Sequence, residues 1–126
     1  MRRFIIGAMT LSVLLVLGLS LSFLTERLYA PIAELLEDAA KSTILGDIED
    51  GLPKAMEAME KWKRYKKATA TVADHTPMED IDHLFREMEI YAATDEAPHF
   101  AACCAQLAAM IRDMGDAHRL SAWNLL

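Results

Sequence analysis

Between Phe4 and Leu24 the chain runs for 21 residues without a charge, as FIIGAMTLSVLLVLGLSLSFL. At a helical rise of about 1.5 Å per residue such a run covers roughly 31 Å, the thickness of a bilayer's hydrocarbon core. A helix apolar on every side needs a surround of equal extent. In a chain of 126 residues the remaining helices are too few to wrap it, so lipid is the expected surround. The run exceeds the 7–15 residues of a secretory signal's apolar core, and no A-x-A-like cleavage site follows it. Ser20-Leu21-Ser22 lies within the apolar stretch, and Ala30 is followed by Pro31. The expectation is an uncleaved signal anchor over 1–28, with residues 4–24 in the membrane, and a soluble domain over 29–126.

Charge divides along the same boundary. All 19 acidic residues follow the apolar run, with 11 of the 13 basic ones, so the soluble part is strongly acidic. Arg2 and Arg3 stand directly before the run, and only Arg27 and Lys41 are basic in the twenty positions after it. The excess of positive charge on cytoplasmic flanks then places the N-terminus in the cytoplasm and the domain outside it. That location argues against nucleic acid as a partner. The two cysteines, Cys103 and Cys104, are adjacent, and neighbouring cysteines seldom meet disulfide geometry. No framework of bridges is expected.

After residue 24 there is one valine, Val72, against 19 alanines, which favours helix over strand. Pro31, Pro53, Pro77 and Pro98 each precede an amphipathic run. Proline suits the first turn of a helix and restricts the residue before it, so the four mark four breaks. Thr76-Pro77-Met78-Glu79 reads as a capping box with Thr76 as N-cap, and Gly46 to Pro53 as a loop. Helices are expected at about 31–45, 53–73, 77–93 and 98–120. Their apolar stripes follow a 3.6-residue period. They comprise Met56, Met59, Trp62, Tyr65, Thr69 and Val72; then Met78, Ile81, Leu84, Phe85, Met88 and Tyr91; then Phe100, Cys103, Leu107, Met110, Ile111 and Met114. Short connections favour antiparallel neighbours. The fold class is therefore all-α: an N-terminal transmembrane helix and a small antiparallel bundle of three to four helices. The first helix, with Ile32, Leu35, Leu36 and Ala39, either continues the membrane helix past a kink or packs as a fourth member.

Several short features occur together: the anchor, Lys61-Trp62-Lys63, Asp74-His75 followed by Glu79 and Ile81, and Asn124-Leu125-Leu126. In these the chain resembles a family of small bacterial single-pass membrane proteins of unknown function. The resemblance implies an anchored helical domain, often a companion to other membrane proteins, and brings no activity or cofactor with it. The alanine-rich last helix with paired cysteines departs from that pattern.

Three sets of residues could carry chemistry. His75, Glu79 and His83, with Asp82 nearby, are the densest group of metal-ligand types, Glu79 and His83 being i, i+4 on one helix face. The plainer reading is a capped helix start with Asp82 and His83 in solvent. His99 and Cys103 are also i, i+4 and could form a thiolate–imidazole pair, but free cysteine is more often a small buried apolar residue. Lys61, Lys63, Arg64, Lys66 and Lys67 make a basic run that could grip a membrane protein or an anionic envelope component. Against this, Glu57–Lys61 and Glu60–Arg64 are favourable i, i+4 pairs, and cations suit a helix C-terminus. Lys63, Lys66 and Lys67 are left over. The function expected is a non-enzymatic interaction module without cofactor, the alternative being a small metal- or thiol-dependent sensor or enzyme.

Overall fold

The computed structural model describes residues 1–69 and 75–124, without the side chains at 21, 22, 25, 69, 75, 76 and 118–124. The expected stripe position Val72, the side chain of Thr69, and Leu125 and Leu126 lie outside that description. Four helices form: α1 (Arg2–Ile44), α2 (Ile48–Thr69), α3 (His75–Ala93) and α4 (Ala97–Asn124). Among the described residues there is no strand.

The first helix continues the apolar run, without the kink expected there, and also packs as a member of the bundle. It runs 43 residues without interruption, with Pro31 inside it, so the break expected before Pro31 does not occur. Proline removes one intrahelical hydrogen bond and crowds the preceding turn. Here the residues around it are held from the side: Tyr29, Ile32, Ala33 and Leu36 are all in the core, and that packing outweighs the local cost. The first half of α1 makes no such contacts. Its window Arg2–Ser20 has a mean hydropathy of 2.0 and none of it is buried against protein. It is a helix long and apolar enough to cross a membrane, fused end to end with a wall of the bundle.

Helix α2 begins earlier than its proline suggested. Instead of a loop from Gly46 to Pro53, the connection is Leu45–Asp47 and Pro53 lies within the helix. The reasons are local. Gly46 takes φ +90°, its N–H bonds the Thr43 carbonyl at 3.0 Å, and the Asp47 N–H reaches back to Ser42 at 2.9 Å. This pair of bonds is the left-handed cap that ends helices at glycine. Asp47 then accepts the Asp50 N–H on its side chain at 3.1 Å, as an N-cap does. One residue ends α1 and the next starts α2. The α3–α4 connection repeats the plan with Asp95 in the left-handed position at φ 56° and the Glu96 N–H bonded to the Tyr91 carbonyl at 3.0 Å. At the other two prolines the breaks are near their expected places: α3 starts at His75, two residues before Pro77, and α4 at Ala97, one before Pro98. Thr76 is thus a residue inside α3 rather than its N-cap. Its side chain lies outside the description.

The bundle arranges α1 against α2 and α4, and α3 chiefly against α4. The α3 and α4 stripes face inward as their spacing predicts, with Leu84, Tyr91 and Met110 at the edge of the core. On α2 the buried face is rotated from expectation: Met56 is exposed, and Ala55 and Ala58 are buried with Met59, Trp62 and Tyr65. Small residues set the helix spacing. A β-carbon on Gly51 would stand 2.6 Å from Thr43 Oγ1 and 2.8 Å from the Ala39 carbonyl oxygen. On Gly115 it would overlap the ring of Tyr29.

These contacts also fix heights along the bundle. Ser42 donates to Asp50, and Gly51 abuts Ala39 and Thr43. Helix α2 is therefore antiparallel to α1 and returns toward its apolar half. Arg112 on α4 grips Glu37 on α1 with two bonds of 2.8 and 3.1 Å, and α4 returns the same way. The chain leaves the apolar rod, turns at Gly46 at the distal end, and brings the C-terminal parts of α2 and α4 back to the proximal end.

Candidate functional site: the basic end of α2 and the α2–α3 cleft

Trp62 is the largest fully buried side chain on α2. Its ring stacks on Tyr65 at 5.6 Å and on Phe85 of α3 at 6.4 Å between centroids. A buried indole N–H needs an acceptor, and Asp82 supplies one: Nε1 donates to Oδ1 at 2.8 Å. The other carboxylate oxygen accepts from Lys66 Nζ, also at 2.8 Å. Burial of Asp82 would raise its pKa, but the bonds from Lys66 and then Trp62 outweigh it, and the carboxyl is held below the usual value. Asp82 is the joint between α2 and α3, not the solvated residue expected. Around this joint the two helices leave a cleft edged by Lys63, Lys66, Arg86 and Glu89, with Met59, Trp62 and Phe85 in its walls.

The basic run divides in two. Lys66 belongs to the Asp82 joint, so its expected lack of a partner is corrected. Lys63 lies 3.7 Å from Glu60, so Glu60 turns to Lys63 and not to Arg64. That exposed pair, with both side chains more than half accessible, adds little to stability. Lys63, Arg64 and Lys67 are exposed and Lys61 half-exposed. They point away from the buried face of α2.

Two of the three metal-ligand candidates can be placed. Glu79 and His83 are exposed on α3, and the His75 side chain lies outside the description. Among the described residues no three His, Cys, Asp or Glu side chains are placed to share an ion. His99 is exposed and stacks on Tyr91 at 5.1 Å, whereas Cys103 and Cys104 are buried and free. Burial pushes both thiols up, with Glu87 adding to the effect at Cys103 and Cys103 at Cys104, which reaches about 12. Thiols so placed stay protonated near neutrality, the opposite of an activated nucleophile.

Sequence reasoning missed two functional-grade contacts. The Arg112–Glu37 fork joins residues 75 apart in sequence, and no local pattern marks such a pair. The Trp62–Asp82 bond could have been suspected, since a core tryptophan must find an acceptor on a neighbouring helix. No protein-family profile, curated protein or solved structure matches the chain.

Proposed function

We propose that the protein is a non-enzymatic, membrane-anchored interaction module of the cell envelope. Its first helix is inserted with the N-terminus in the cytoplasm, and the bundle is held outside the cytoplasm against a membrane protein or an anionic envelope component. The observation that carries this reading is the continuity of α1. One helix supplies both the unburied apolar span and a packed wall of the bundle, so the bundle's height above the span is set by a stiff element rather than a linker. The exposed cations Lys63, Arg64 and Lys67 of α2 supply a charged face beside it. The buried thiols have raised pKa values, and among the described residues Glu79 and His83 have no third ligand beside them, so neither set supports metal- or thiol-dependent chemistry.

The test is fractionation followed by capture. The intact protein should remain in membranes through alkaline extraction, and externally added protease should reach the bundle once the cell envelope is opened. Crosslinking from a photoreactive side chain introduced at Lys61 should give a defined adduct that disappears when Lys63, Arg64 and Lys67 are changed to Gln. Release by alkali would sink the anchor, and an adduct indifferent to those changes would sink the basic face as the contact.

A further inference from the structure

The heights established above bring exposed cations at the C-terminal end of α2 level with the end of the apolar run. Pairing Asp50 with Ser42 and Gly51 with the Ala39–Thr43 turn gives a consistent antiparallel register between α1 and α2. Continued toward the proximal end, that register sets Lys67 level with Glu26 and Arg27, and Arg64 level with Tyr29. The apolar run ends at Leu24, and Arg27 folds its guanidinium back over the Phe23 ring at 4.5 Å. At about 1.5 Å per residue Lys67 therefore stands only about 3–5 Å beyond the end of the span, and Arg64 about 8 Å. A headgroup layer is about 5–8 Å deep on each side of the hydrocarbon. Lys67 is within it and Arg64 at its outer edge, both with flexible stems that let the charge seek its own depth.

Charge along α2 is sorted in the same sense. Its acidic residues, Glu49, Asp50, Glu57 and Glu60, all precede Lys61 and so lie toward the distal end. Cations at a helix C-terminus need no ligand to explain them, but the dipole does not dictate that this terminus should coincide with the end of the span. Elsewhere on the bundle, between α3 and α4, Asp80 and Asp113 border a shallow depression with Pro77, Met110 and Met114.

Resting on the anchored-module reading, we propose that Arg64 and Lys67 bind the anionic headgroups of the leaflet from which α1 emerges, drawing the α2 edge of the bundle onto the membrane. The occupant is lipid because the register puts these cations at headgroup depth whether or not a protein partner is present.

The experiment uses the full chain in vesicles of phosphatidylcholine alone or mixed with phosphatidylglycerol. The rate of acylation of individual lysines by a water-soluble reagent is read by mass spectrometry. Lys41 is the internal control, since it lies on α1 about 25 Å beyond Leu24 at the helical rise, several screening lengths away. A surface potential of about −30 mV concentrates protons about threefold and slows an amine at the surface by that factor. Lys67 should slow about threefold or more in the anionic vesicles, with Lys41 unchanged, and the difference should vanish at about 1 M salt, where screening shortens to about 3 Å. Equal rates at Lys67 in both lipids, with the protein resistant to alkali, would overturn the headgroup contact and leave the anchored module standing. Slowing in native membranes but not in anionic vesicles would assign the face to a protein and also overturn it. Loss of the protein from both vesicles in alkali would remove the anchor and this proposal with it.

Discussion

Replacing Asp82 with Ala leaves the Trp62 indole N–H without its acceptor at a site where the side chain is 1% exposed. An orphaned buried donor costs about 1–3 kcal/mol. The same change releases Lys66, but that pair is partly exposed, at 38% and 26% of the two side chains, so screening limits its share to about 1 kcal/mol or less. The expected loss for Asp82→Ala is therefore about 2–3 kcal/mol, carried mainly by the indole. For a bundle of this size that lowers the melting temperature by about 10–20 °C. Asp82→Asn keeps a carbonyl oxygen for Nε1 and should cost about 1 kcal/mol or less, as should Lys66→Ala. The assay is thermal unfolding of the full chain in detergent, followed by near-ultraviolet circular dichroism, which reads aromatic packing rather than the helicity of the span. A loss on Lys66→Ala as large as that on Asp82→Ala would refute the reasoning, because the ion pair and not the buried indole would then hold the two helices together.

Acid provides a second measure of the same joint. The folded pKa of Asp82 lies below its ordinary value, so its contribution is fully present above about pH 4 and is lost as the pH falls through the folded pKa; the stability gap between wild type and Asp82→Asn should close in that window, and a gap constant down to pH 2 would contradict it. Gly51→Ala would gain about 1 kcal/mol of helix propensity but sets a methyl 2.8 Å from the Ala39 carbonyl oxygen, which the backbone cannot yield cheaply, so a net loss of about 1–2 kcal/mol is expected in the same melt and a gain would refute the close approach. With Cys104 pushed up to about 12 and Cys103 also raised, alkylation of the folded protein at pH 8 should be at least about tenfold slower than after denaturation; equal rates would show the thiols to be accessible.

The apolar run, the scarcity of valine and abundance of alanine after it and the 3.6-residue stripes of α3 and α4 were enough to specify helices, a candidate span and a small antiparallel bundle, because each depends only on near neighbours in the chain. Gly46 signalled the end of α1 for the same reason. Prolines misled where packing acted on them: Pro31 and Pro53 lie inside helices since the burial of Ile32, Ala33 and Leu36 in one case, and the Asp47 cap in the other, outweigh a local preference. The site was less legible. Lys66 and Asp82 looked like solvated charges, and only the approach of α3 to Trp62 turned them into a joint. Arg64 and Lys67 were visible as cations from the outset, but their height beside the end of the apolar run follows from the α1–α2 register. Local sequence determines periodicity and caps. Which residues stand opposite one another depends on how whole helices slide and rotate to bury their stripes, a choice made by contacts far apart in the chain.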